Sequence, residues 1–180
     1  MMRLFARLLL ILAALTSSGC MTPPVAPERQ STMIDAAYSA VDSLIAGQNI
    51  PPMATPGGGI RVLVATVADL NKLNQSTAFG RLLAEQMSSR LSQTGIPVGE
   101  LKLTGKLYVS QSQGELVLSR ELKEISNNQK ADLVLVGTYV DAGPSVFVSL
   151  KLVRASDNTV SNAYNFAMKK SNFVATLMAK

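Results

Sequence analysis

Cys20 is the single cysteine of the 180-residue chain, and there is no histidine at all. The thiol of Cys20 is therefore the residue whose setting most plainly specifies chemistry. Arg3 and Arg7 give a positive leader, Leu8 to Leu15 reads LLLILAAL, and the small residues Thr16-Ser17-Ser18-Gly19 lead directly into Cys20. This order of charge, apolar core and small residues is that of a secretory signal, with residues 1–19 removed. The apolar run is far shorter than the ~20 residues a membrane-spanning helix requires.

The residues before Cys20 resemble a bacterial lipobox, in which the processed cysteine becomes the acylated N-terminus. Ser17 departs from the resemblance, standing where leucine is usual. The alternative is an ordinary signal peptide followed by a free thiol, an odd feature for an oxidising compartment. Each buried methylene contributes roughly 0.8 kcal/mol to anchoring and a single acyl chain holds only marginally. The resemblance implies three chains, and so an anchor that is effectively permanent. Met21 stands where an aspartate would resemble an inner-membrane retention signal. The expected location is the outer membrane, facing the periplasm.

Other chemistry is sparse. Without histidine or a second cysteine, His/Cys metal sites and His-assisted nucleophiles are excluded. Pro56-Gly57-Gly58-Gly59 precedes a strand, whereas a phosphate-cradling loop follows one and opens a helix. It reads as a turn or hinge. Asp132 and Asp141 flank an apolar segment and read as strand ends rather than a metal pair. Glu121 and Glu124 read as a solvated helix face. No cofactor, metal or catalytic site is expected, and the chain reads as non-enzymatic. Removing residues 1–19 takes Arg3 and Arg7 and no acid, leaving 15 basic against 12 acidic side chains, a net of +3. The longest basic cluster is Lys169-Lys170, so the clustered footprint of a nucleic-acid binder is missing.

The elements that carry these residues follow from periodicity. Residues 20–31 hold three prolines and read as an extended tether of about 30 Å. Thr32 with Asp35 resembles a capping box opening a helix over 32–47. Its apolar stripe would be Ile34, Ala37, Tyr38, Val41, Leu44 and Ile45. That helix could dock on its own body or on a partner, and its own body is the plainer reading. A breaker-rich linker spans 48–59, and the main domain runs over 60–180. Its first strand, Ile60 to Val67, is apolar on both faces. A helix over Ser76–Gln93 places Phe79, Leu82, Leu83, Met87 and Leu91 inward, with Arg81, Glu85, Ser88 and Ser89 away from them, and Gly95 caps it. One or two short strands lie within Val98–Val109, a helix over Ser119–Asn127, and a second very apolar strand over Asp132–Val140. Gly137 inside that strand points to a close backbone approach. Strands at 146–153 and 160–168 form a hairpin around Ala155-Ser156-Asp157-Asn158, before a short helix near Phe173. The order β-α-β-(β)-α-β-β-β gives an α/β (α+β) fold, a mixed sheet with packed helices. The last strand, with Asn162 and Asn165, is expected at a sheet edge open to a neighbour's strand.

The stretch Leu118-Ser119-Arg120-Glu121-Leu122 followed by Ala131-Asp132 and Leu135-Val136-Gly137-Thr138-Tyr139 resembles the FlgO family of flagellum-associated outer-membrane lipoproteins. The segment AFGRLLAEQMSSRLSQTGIPV is similar to that family's helix and its Gly-x-Pro-Val turn. The resemblance spans about Ile60 to Met168. It implies a domain similar to the N-terminal domain of TolB and to CsgG-like lipoproteins. It also implies a role in the flagellar basal body, its outer-membrane rings and motility. The partners implied are the outer membrane through the lipid, flagellar ring proteins and further copies of the chain. A component of another envelope assembly or export complex is the competing reading.

Overall fold

A computed structural model of the chain describes residues 31–46, 59–73, 75–101 and 120–179. The leader, Cys20, the tether, most of the linker and the expected strand segment at 102–109 lie outside the described residues.

The first helix, α1, covers Ser31–Ile45. It begins one residue before the expected cap, so Thr32 sits within the first turn. Its buried stripe is Met33, Ala37, Ala40, Val41 and Leu44. Ile34, expected inside, is 40% exposed. The stripe that meets the core is rotated by about one residue, which brings Met33 in and turns Ile34 out.

The helix docks on the body rather than standing free. Each large apolar side chain so buried stabilises the docking by roughly 1.5–3 kcal/mol. Arg90 clamps Asp42 bidentately, Nε to Oδ1 and Nη2 to Oδ2, both at 2.8 Å. Its guanidinium also lies 5.4 Å from the Tyr38 ring centroid. The Asp42 hydrogen bond raises the Arg90 pKa further above its ordinary value.

Strand β1 (Val62–Ala65) is buried on both faces. It pairs in parallel with β3 (Val98–Leu101) on one side and β4 (Leu133–Asp141) on the other. The two-residue β2 (Ala68–Asp69) continues this line, pairing with Thr138 and Tyr139 of β4. Strands β5 (Ser145–Arg154) and β6 (Val160–Lys169) complete an antiparallel run. The sheet order is β3-β1-β4-β5-β6. Parallel strands must be covered on both sides, which explains why β1 and β4 lack a polar face.

Helix α2 (Ala78–Gln93) connects β2 to β3. It inserts Phe79, Leu83, Met87 and Leu91 as expected, with Leu82 half-buried. Gly95, at φ +81°, closes it as a Schellman turn, in which Gly95 N–H donates to Ser92 O and Ile96 N–H to Leu91 O. Ser88, expected away from the stripe, is buried on the side of α2 that faces Val64 of β1 and Leu101 of β3.

The larger core joins α1, α2 and α4 (Asn172–Met178) to the inner sheet face. A smaller cluster on the other face holds Leu63, Ala65, Val134, Val136 and Val153. Ile125 of α3 (Arg120–Asn128) packs against it. At Gly137 an added Cβ would lie 2.5 Å from Leu150 Cδ2 and 3.1 Å from Ser149 O, the close approach read from the sequence.

Asn162 of β6 donates through Nδ2 to the carbonyls of Ser43 and Leu44, at 3.3 and 2.8 Å, tying the last turn of α1 to the sheet. Asn162→Ala is expected to cost about 1–2 kcal/mol, since both carbonyls lose this donor. Faster hydrogen exchange confined to α1, together with a lower urea midpoint, checks it.

Candidate interaction edge

Cys20, where the sequence leads one to expect acylation, lies outside the described residues. Among the described residues no three His, Cys, Asp or Glu side chains converge as a metal site would require. No described helix is long and apolar enough to cross a membrane. Asp132 and Asp141 sit at opposite ends of β4, each engaged by its surroundings. Asp132 Oδ2 accepts the Arg61 N–H at 2.8 Å. Asp141 accepts from the Lys170 ammonium and from Gly143 N–H, which hold its carboxyl below the usual range, Lys170 contributing most. Glu124 is exposed, and the Glu121 side chain lies outside the described set.

A groove of about 370 Å³ opens between α2 and the carboxyl ends of β1 and β3. Several of its polar groups are turned onto the protein's own backbone. Thr66 Oγ1 donates to Leu101 O, Ser76 Oγ to Val67 O and Arg81 to Ser76 O. Among the described residues Ser88 Oγ is buried without a partner. One such hydroxyl does not form a binding constellation.

The feature that can act on another molecule is β6. It is ten residues long, ends the sheet among the described residues, and has neither charge nor proline over 160–168. Its ladder with β5 fixes which groups face outward. Ala142 N–H donates to Ser145 O and Lys170 N–H to Pro144 O. These turn bonds set the phase of the antiparallel alternation, in which the even residues of β6 bond to β5. The N–H and C=O groups of Ala163, Asn165 and Ala167 therefore point to the open side. Ala163 N–H meets only its neighbour's Asn162 Oδ1, at 2.8 Å.

The same three residues lie on the sheet face away from α1, level with Lys151, Ser149 and Phe147 of β5. Phe147 is 51% exposed there, and Val160 is exposed at the opposite end of β6. On the inner face Tyr164 and Phe166 lean on the core, with ring centroids 6.3 Å apart. The edge was legible from chain order. The Asn162 tie that keeps α1 on the inner face, leaving the edge uncovered by it, was not, because nothing local to Asn162 reveals its partner 118 residues away.

Residues 38–173 match the family described as FlgO protein. The chain belongs to the FlgO family. That span starts within α1 and ends in α4, so the family's extent is the body described above, first helix included. In sequence, no curated protein matches the chain. Among solved structures it is similar to the LpoB C-terminal domain from Salmonella enterica, at 14% identity and a TM-score of 0.54, covering 77% of this chain and 98% of that one. The LpoB C-terminal domain from Escherichia coli gives 14% identity, a TM-score of 0.53 and the same coverage. At such identity the likeness shows a shared fold: helices packed on a mixed sheet.

Proposed function

We propose that this FlgO-family chain is an envelope lipoprotein, acylated at Cys20 after loss of residues 1–19. Held by a Pro-rich tether over 20–31, its body is an assembly module of the flagellar outer-membrane rings. The observation that carries the reading is the family match over residues 38–173, joined to a leader that ends at the chain's one cysteine. The geometry supports it: an α/β body with a strand uncharged over 160–168 at an open edge is suited to binding protein by strand addition. The second reading, a component of another envelope assembly or export complex, is favoured by the fold shared with the LpoB domains, which bear a different name.

The test is motility and electron microscopy of basal bodies in a deletion strain of the source organism, complemented with wild type or Cys20→Ala. Wild type is expected to restore swimming and the outer ring. Cys20→Ala is expected to leave the membrane fraction and restore neither, because the acyl anchor is gone. Normal motility and intact rings in the deletion strain would overturn the flagellar role and favour the second reading.

A further inference from the structure

We infer that the β6 edge pairs with β6 of a second copy, antiparallel, about a two-fold axis at Asn165. The inference rests on the assembly reading only for the membrane setting; the pairing itself follows from the strand.

Same-parity pairing of the outward residues allows few registers. The one centred on Asn165 brings 161–169 of both copies into overlap; one centred on Tyr164 overlaps as many residues, 160–168, but sets the bulge at Ser161 inside the ladder, opposite Ala167, instead of at its end. Ala163 then faces the second copy's Ala167 and Asn165 faces Asn165, and each donates and accepts across the new ladder, the Ala163 N–H exchanging its bond to Asn162 Oδ1 for one to the second copy. Lys169 falls opposite Ser161, so no like charges meet. The outward-face row is Ala, Asn, Ala, small enough for two sheets to join without a clash. On the inner face Tyr164 comes beside the second copy's Phe166, an aromatic cross-strand pair.

Edge strands are usually protected by charge, proline or cover. Residues 160–168 have no charge and no proline, and among the described residues no strand pairs with the outer side of β6. The bulge lies at the far end, where the register shifts beside Leu152 and Val153. A two-fold perpendicular to the sheet keeps α1 of both copies on one face. Two chains anchored in one leaflet would also meet at raised effective concentration.

The test is a charge swap in the full-length chain purified in detergent. Wild type is expected to sediment as a dimer that dissociates on dilution. Asn165→Lys and Asn165→Asp alone are each expected to weaken self-association at least tenfold, because like charges face across the axis. An equimolar mixture of the two is expected to regain it. Shared micelles would survive either substitution, whereas edge pairing would not. As a second measure, Asn165→Cys in a Cys20→Ser chain is expected to form a disulfide-linked dimer, since paired Cα atoms of about 5.5 Å lie within disulfide range. A monomeric wild type, or dimers indifferent to both charges, would overturn the pairing. Either result leaves the motility test standing, so the two proposals fail separately.

Discussion

Gly80→Ala is expected to destabilise the protein by about 2–3 kcal/mol, although alanine is the better helix former. In an exposed helix interior the exchange would gain about 1 kcal/mol. Here the added Cβ would lie 2.0 Å from Val67 O and 2.8 Å from Ser76 Oγ. Ser76 Oγ can rotate away; the Val67 carbonyl cannot. Val67 sits between β1 and β2, both of which pair with β4, and its N–H donates to Gly80 O at 3.4 Å. Making room means lifting the first turn of α2 off the sheet, and with it Phe79, which is fully buried. Overpacking of this kind costs 1–3 kcal/mol, occasionally more. Gly95→Ala is the informative comparison. Nothing lies within 4 Å of its Cβ position, but φ is +81°. Its penalty is backbone strain alone, about 1 kcal/mol. Urea midpoints at an unchanged m-value measure both. A stabilised Gly80→Ala protein would show that α2 does not approach Val67 this closely.

Gly80 also shows where sequence reading stops. The strands at 62–65 and 133–141 were legible because dense β-branched runs are a local signal, and both proved buried on both faces. Gly95 was legible because a helix-ending glycine followed by proline is local as well. Gly80, Ser88 and Asn162 owe their roles to what lies opposite: a carbonyl thirteen residues earlier, the ends of β1 and β3, and two carbonyls of the last turn of α1. Ile34 fails for the same reason, since its helix has the right period but its rotation about its axis is set by the sheet. The proposed acylation at Cys20 is read from its flanks alone. The β6 edge follows from chain order, since a last strand joined by a hairpin to its neighbour has one side left open. Its register for self-pairing required the alternation of the ladder, which only the pairing with β5 supplies.

Tyr139→Ala is expected to cost about 3–5 kcal/mol, and Tyr139→Phe only about 1 kcal/mol. The ring is 1% exposed and meets Phe79 edge-to-face, with centroids 5.1 Å apart at 79°. Its hydroxyl lies 2.8 Å from Thr77 Oγ1, and this is why Thr77, the N-cap of α2, makes no side-chain cap bond. Burial raises the phenol's pKa, outweighing the Thr77 hydrogen bond. The folded state therefore holds this proton more tightly than the unfolded chain does. The associated stability is complete below the ordinary tyrosine pKa of about 10 and is lost as pH rises through the folded value. The gap between wild type and Tyr139→Phe should therefore narrow above about pH 10, and thermal melts from pH 7 to 11 measure it.

The consequence reaches function. Leu135 to Tyr139, part of the motif by which the chain resembles its family, is buried throughout. Those residues specify the fold and the seat of α2 from inside the body. A loss of activity on changing Tyr139 would report failed folding, accompanied by a lower melting temperature. A loss on changing Asn165, on an exposed strand, would report failed assembly with melting unaltered. Only the second kind of variant can separate what this family member assembles with from how it folds.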